Sequence, residues 1–285
     1  MTETRKIRIV ADSSSDVLSA NGIDYGVSPL KIISSDREFS DDASLDVESM
    51  VNYFDSYKGK SKTSCPNVSD WIDAFGDADD VICVTITSAL SGSYNSACNA
   101  KQIYEAEHEG RRVCIIDSLS AGPELRLLIE KLGEYIKKGL DFEDICAKAK
   151  KYLSHTGLIF MLKSMKNLAN NGRVSKASAK IAGFLGIHVV GKASDHGTLE
   201  PTDKCLGEEK ALHKLVSRLG ELGFSGGKVR ISHCLNEPAA MLLEKLIFEK
   251  FSSAQIEIYK CRGLCSFYAE KGGMLIGFEK NAVLA

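Results

Sequence analysis

Short runs of β-branched and apolar residues alternate along this chain with longer stretches whose apolar positions recur at helical spacing. "KIRIVADSSSD" reads as a strand feeding a hydroxyl- and Asp-rich turn, then a short helix. "VICVTITSALSGSYNSACNAKQIYEAEHEG" reads as strand, loop and helix, with Tyr94, Ala97 and Ala100 at helical spacing, and "RRVCIIDSLSAGPELRLLIEKLGEYIKKG" repeats the unit. This is the βα rhythm of a mostly parallel sheet with helices on both faces, where strands are apolar throughout and helices along one stripe. Three strands therefore end in Ser, Thr and Asp, and open parallel sheets bind ligands in the crevice beyond the carboxyl ends of their strands.

A fresh pattern begins near residue 155. "HTGLIFMLKSMKNLANNGRVSKASAKIAGFLGIHVVGK" predicts strand, helix, a tight "NNGR" turn, a second helix and another strand. "LGEEKALHKLVSRLGEL" predicts a helix, and "GKVRISHCL", "QIEIYKC" and "GMLIGFE" predict strands. The expected fold class is α/β in two domains. Residues 1–155 form an N-terminal, mostly parallel sheet flanked by helices, residues 156–285 a C-terminal α/β domain, and the ligand lies near their junction. A chain of 285 residues is long enough for two such cores.

Composition removes several function classes. The 36 Lys and Arg against 38 Asp and Glu leave a formal charge of −2, so no global field gathers a polyanion, and nucleic acid is not an expected partner. No apolar run reaches the ~18 residues that span a bilayer, and "MTETRKIRIVADSSSD" lacks a signal-peptide pattern, which points to the cytoplasm. Nine cysteines fit that compartment, since Cys83 and Cys114 sit in apolar runs where a thiol is a small hydrophobe. Cys261 and Cys265 have no second Cys or His pair at zinc spacing, so no metal is expected.

The chemistry concentrates in "TSALSGSYNSA", five Ser and Thr hydroxyls around one glycine directly behind a buried strand. A serine-nucleophile elbow needs G-x-S-x-G, but Ala89 and Leu90 precede Ser91; the enzymatic alternative is an acyl hydrolase pairing Ser91 with His233. A phosphate cradle needs a glycine-rich string that does not occur here. A neutral clamp for an acid fits better. "KTSCPNVSDW" supplies a second cluster, Thr63 and Ser64, which also suits helix capping, with Pro66 at an early helical position and Asn67 or Ser69 as cap. Hydroxyls and backbone amides hydrogen-bond a carboxyl group without bringing a permanent charge into an apolar pocket. The binding-only alternative is a receptor for some other amphipathic acid.

The ordered set "ADSSSDV", "VSPLKI", "KTSCP", "TSALSGSYNSA", "IIDSLSAGPEL", "LKSMKNLANNGRVS" and "GGMLIGFE" resembles the DegV family of bacterial fatty-acid-binding proteins, from residue 7 to about 280. The resemblance implies one long-chain fatty acid such as palmitate or stearate as ligand, with no cofactor or catalysis of its own, and presentation of the acid to a separate fatty-acid kinase. It implies that Thr63 and Ser91 hold the carboxyl oxygens, that Ser64, Gly92 and Ser93 join the same cluster, and that Arg173 of "NNGRVS" balances the headgroup. Two stretches depart from the family pattern. "KCLGEEKALHK" carries Leu206, Glu208 and Glu209 where a basic kinase-docking segment is usual, and "GLCSFYAEKGGMLIG" places Tyr268 and Ala269 near a usual His.

Overall fold

The computed structural model describes residues 5–175 and 186–280, so the helix expected after the "NNGR" turn lies outside the described residues. Strand β1 (Ile7–Asp12) runs into a 3-10 turn, Ser13–Ser15, and is followed by β2 (Asp24–Ser28). Strands β3 (Lys31–Ile33) and β4 (Glu38–Ser40), helix α1 (Val47–Ser56), β5 (Lys62–Ser64) and α2 (Val68–Phe75) come next. Then follow β6 (Asp80–Thr85), α3 (Ser93–Glu107), β7 (Arg112–Asp117), α4 (Pro123–Lys137) and α5 (Phe142–Leu153).

The order β2-β1-β6-β7 makes a wholly parallel sheet. Every residue of β6 is buried because both faces are covered. Val81 and Cys83 pack with Val10, Trp71, Phe75 and Tyr104 on one side, and Ile82 and Val84 with Ile9, Leu128 and Ile145 on the other. β3, β4 and β5 form a separate antiparallel sheet that the hydrophobic pattern does not announce. Thr63 and Ser64 belong to β5 and do not cap α2. Asn67 does, in a reciprocal capping box with Asp70, which leaves Pro66 ahead of the cap instead of inside the helix.

The chain then builds β8 (Thr156–Leu162), α6 (Lys166–Asn170), β9 (Ile187–Ala193), β10 (Leu199–Leu206), α7 (Glu208–Glu221), β11 (Gly227–His233), α8 (Glu237–Lys250), β12 (Ala254–Lys260), α9 (Gly263–Ala269) and β13 (Met274–Glu279). The second sheet has the order β10-β9-β8-β13-β11-β12 and is mixed, with only β11 and β12 parallel. Strand alternation divides β8 between two environments. Ile159 and Met161 join the core beneath α7 and α8, while Phe160 and Leu162 point to the opposite face. Gly191 on β9 makes room for the Phe160 ring, since a Cβ there would lie 2.3 Å from its Cζ atom.

Buried polar contacts lock the two domains. Asp41 accepts from the Gly263 and Leu264 amides at 2.7 and 2.8 Å, the Thr156 hydroxyl donates to Glu124 at 2.6 Å, and Arg230 makes a two-pronged pair with Glu130 at 2.8 and 2.7 Å. Asp16, left-handed at φ 58°, accepts from the Arg262 amide at 2.7 Å.

Burial pushes the Asp16 carboxyl up to about 7 from its ordinary 3.8, the Arg262 amide opposing the shift and Asp41 adding to it. A raised acid contributes stability that is complete below the unfolded value and lost as pH rises through the folded value. Asp16→Asn keeps an acceptor for Arg262 and tolerates the left-handed backbone. In thermal unfolding, the melting temperature of Asp16→Asn relative to wild type is expected to rise between about pH 4 and pH 7 and level off above. A difference that does not change with pH would contradict this assignment.

Candidate functional site

β1 has β2 on one side and β6 on the other, so the chain leaves β1 in opposite directions and opens a crevice between the carboxyl ends of β1 and β6. Asp12 closes the floor of that crevice. Its side chain is wholly buried and accepts from the Ser14 hydroxyl at 2.5 Å, the Ile86 amide at 2.9 Å and the Ser93 hydroxyl at 2.6 Å. Burial raises the Asp12 carboxyl above its ordinary range, with the Ser14 and Ser93 hydroxyls opposing the shift. These bonds fix the start of α3 and the "TSALSGS" loop before it.

Above this floor an apolar cavity runs between the domains. Its walls are Leu158, Phe160 and Leu162 from β8, Leu30, Ile86 and Ala121 from the first domain, and Leu199, Leu264 and Leu275 from the second. The space enclosed, mouth included, is about 690 Å³, and its lining makes it a largely apolar slot. Leu158, Phe160 and Leu162 are successive residues on one face of β8, and from first to last they span ~13 Å of wall.

The polar groups in the lining gather at one place: Thr63, Ser91, Arg173 and Tyr268. Thr63 reaches it from β5, and its Oγ1 lies 2.7 Å from the Tyr268 hydroxyl of α9. Burial pushes the Tyr268 phenol up, so it stays a neutral hydrogen-bonding group. The Ser91 Oγ accepts the Ser93 amide at 3.2 Å, which leaves its own proton to donate. Arg173 is held by the Leu90 carbonyl at 3.1 Å and the Asn171 carbonyl at 2.5 Å, and its guanidinium lies 6.0 Å from the Tyr268 ring centre. Among the described residues no carboxylate pairs with Arg173.

Three of the six residues expected at the site stand beside it and not in its lining. Ser93 is fully buried with its hydroxyl committed to Asp12. Ser64 is exposed and turns its hydroxyl to the Cys65 carbonyl at 3.1 Å. Gly92 caps α3, and a Cβ there would meet Cys65 Sγ at 3.3 Å, so the glycine lets the loops bearing Thr63 and Ser91 approach each other.

The Ser91–His233 pair does not form. His233 is buried at the end of β11, where it accepts the Asn236 amide at 3.1 Å and takes no part in the cavity wall; burial also lowers its basicity. Among the described residues no histidine or carboxylate hydrogen-bonds Ser91. No group of metal-ligating side chains occurs among the described residues, and none of their helices is long and apolar enough to cross a membrane.

The profile of the DegV family, described as uncharacterised proteins, matches residues 6–281. A DegV domain-containing protein of Streptococcus pneumoniae is 41% identical over 276 residues, covering 95% of this chain and 98% of its own. Among solved structures, a DegV family protein from Eubacterium eligens loaded with heptadecanoic acid is 43% identical, with a TM-score of 0.95 over 96% of this chain and 100% of that one. The Fatty Acid Kinase (Fak) B3 protein of Streptococcus pneumoniae, loaded with linoleic acid, is 40% identical, with a TM-score of 0.94 over 97% of this chain and 100% of that one. The chain belongs to the DegV family.

Proposed function

We propose that this protein binds one long-chain fatty acid in the interdomain slot, its tail along Leu162, Phe160 and Leu158 and its carboxyl group at Thr63, Ser91 and Tyr268, and that it carries the acid without transforming it. One observation carries the reading: the slot is apolar along its length and its lining hydroxyls and guanidinium collect at one place. The fatty acids bound by the Eubacterium and Streptococcus proteins, at 43% and 40% identity, support it.

Energetics favour a long ligand. Each buried methylene contributes ~0.8 kcal/mol, so about 14 of them supply on the order of 11 kcal/mol before the costs of ordering. Hydroxyl donors then position the carboxyl group with little desolvation cost of their own, and the Arg173 guanidinium offsets its charge. Because the carboxyl end sits at half-buried residues, it is placed for a second protein to reach, and we assign it to presentation to a fatty-acid kinase, as the name of the Streptococcus Fak B3 protein suggests. The expected docking segment differs in character: Leu206 is 63% exposed at the edge of the second sheet, between the exposed Lys204 and the exposed Glu208, Glu209 and Lys210, so the kinase that fits it meets an apolar surface of mixed charge. All nine cysteines are free thiols, in keeping with action in the reducing cytoplasm.

Calorimetric titration of delipidated protein with palmitate or oleate is expected to give one site per chain. Ser91→Ala and Thr63→Val should each weaken binding by about 10- to 100-fold, the range of a hydrogen bond to a charged group. A protein that takes up neither acid, or one whose Ser91→Ala variant binds as wild type does, would defeat the reading.

Ser93→Ala should behave differently. It leaves an Asp12 oxygen without its partner, so chemical denaturation should show a loss of about 1–3 kcal/mol while affinity for the acid stays close to wild type. The reverse pattern, full stability with lost affinity, would return Ser93 to the carboxyl site.

A further inference from the structure

Glu270 ends α9 with its backbone at φ 55° and ψ 170°, a region that glycine enters freely and that residues with a Cβ rarely adopt. The turn that follows holds this shape. Its Gly272 amide donates to the Cys234 carbonyl and its Gly273 carbonyl accepts the Cys234 amide, each at 2.9 Å. A Cβ on Gly273 would lie 2.3 Å from the Ala269 carbonyl oxygen, so the turn carries glycine where space is shortest. At position 270 the same turn strains any side chain, and the sequence places a glutamate there.

That side chain bonds across to α6. Glu270 Oε1 accepts the Asn167 amide at 3.0 Å, and Asn167 Nδ2 donates to the Phe267 carbonyl at 2.8 Å. Asn167 is buried, so little water competes for either bond.

The two bonds join the segments that carry the second domain's polar groups at the slot. Tyr268 lies between Phe267 and Glu270 on one segment. On the other, Asn171 Nδ2 donates to the Asn167 carbonyl at 2.9 Å, the Arg173 amide to the Leu168 carbonyl at 2.8 Å, and the Arg173 guanidinium to the Asn171 carbonyl at 2.5 Å. Asn167 is the common anchor of both segments, and the guanidinium ends 6.0 Å from the Tyr268 ring centre. We propose that Glu270 is a positioning residue for the ligand headgroup, tying α9 to α6 so that one carboxyl group meets Tyr268 and Arg173 together. This rests on the fatty-acid reading and adds to it a residue that stands outside the slot lining. A glycine at position 270 would suit the backbone better, but it could not make the tie.

The test compares palmitate with hexadecanol, whose tail has the same length and whose head cannot pair with a guanidinium as a carboxylate does. Affinities for both are measured on delipidated full-length wild type, Glu270→Gly, Glu270→Ala and Glu270→Gln, each first checked by thermal unfolding. Glu270→Gly removes the bond and frees the backbone, whereas Glu270→Ala removes the bond and keeps the strain. In both, the preference for acid over alcohol should fall about tenfold. Glu270→Gln keeps an acceptor for the Asn167 amide and should retain the wild-type preference. A glutamate that only stabilised the fold would weaken acid and alcohol alike when removed, so the ratio separates the two roles. If wild type prefers palmitate and either Glu270→Gly or Glu270→Ala keeps that preference, or Glu270→Gln loses it equally, this inference alone is overturned. Wild type that takes up no palmitate, or holds it no better than hexadecanol, overturns the fatty-acid reading, and the inference falls with it.

Discussion

A buried carboxylate, that of Asp12, ties the ends of the two strands between which the site opens. Taking an acid out of water is costly unless hydrogen bonds replace its hydration, and Asp12 gathers three, from Ser14, from Ser93 and from the Ile86 amide. Those bonds join the β1 turn, the end of β6 and the first residue of α3 into one unit. Ser91, two residues before Ser93, is held by the Ser93 backbone amide, which takes a lone pair of its Oγ and leaves its proton free to donate. Much of the hydroxyl richness of "TSALSGS" thus serves the scaffold, and a smaller part serves the ligand.

The second domain supplies what the first lacks. α9 is docked on the first domain by Asp41, which accepts its two leading amides, and by Asp16, which accepts the Arg262 amide. This docking brings Tyr268 to Thr63 and places Leu264 in the slot wall. β8 lies opposite and lends the face that its own core does not use. In the proposed complex an amphipathic ligand replaces part of an interdomain core, with its acidic end where β5, the loop before α3 and the short helix α9 converge. Among the described lining residues permanent charge is confined to Arg173, which backbone carbonyls hold at the cavity wall, so the rest of the lining stays uncharged.

The parallel sheet and the crevice at its carboxyl edge were legible in the sequence because β1, β6 and β7 are continuous apolar runs that break abruptly into Ser, Thr and Asp. Ser91 stood out behind such a run and Thr63 in a second hydroxyl cluster ahead of a helix, and both line the cavity. Less was visible where tertiary contacts decide. β3, β4 and β5 are three residues each, too short for a period to register, so Thr63 looked like a loop residue or cap. Ser93 and Ser91 are indistinguishable by type; only Asp12, 81 positions from Ser93, separates their roles. "TGLIFML" hides its two faces because both are apolar, one turned to α7 and α8 and the other to the slot. Tyr268 could be noticed as a departure from a family pattern, but its bond to Thr63 joins residues 205 positions apart.

Orientation of the bound acid tests the central claim most directly. Palmitic acid labelled with carbon-13 at its carboxyl carbon and at its terminal methyl, bound to the protein and observed by NMR, should show the carboxyl carbon beside Thr63, Ser91 and Tyr268 and the methyl beside Leu158. A methyl signal at Thr63 and Ser91, with the carboxyl carbon beside Leu158 or open to bulk water, would contradict it.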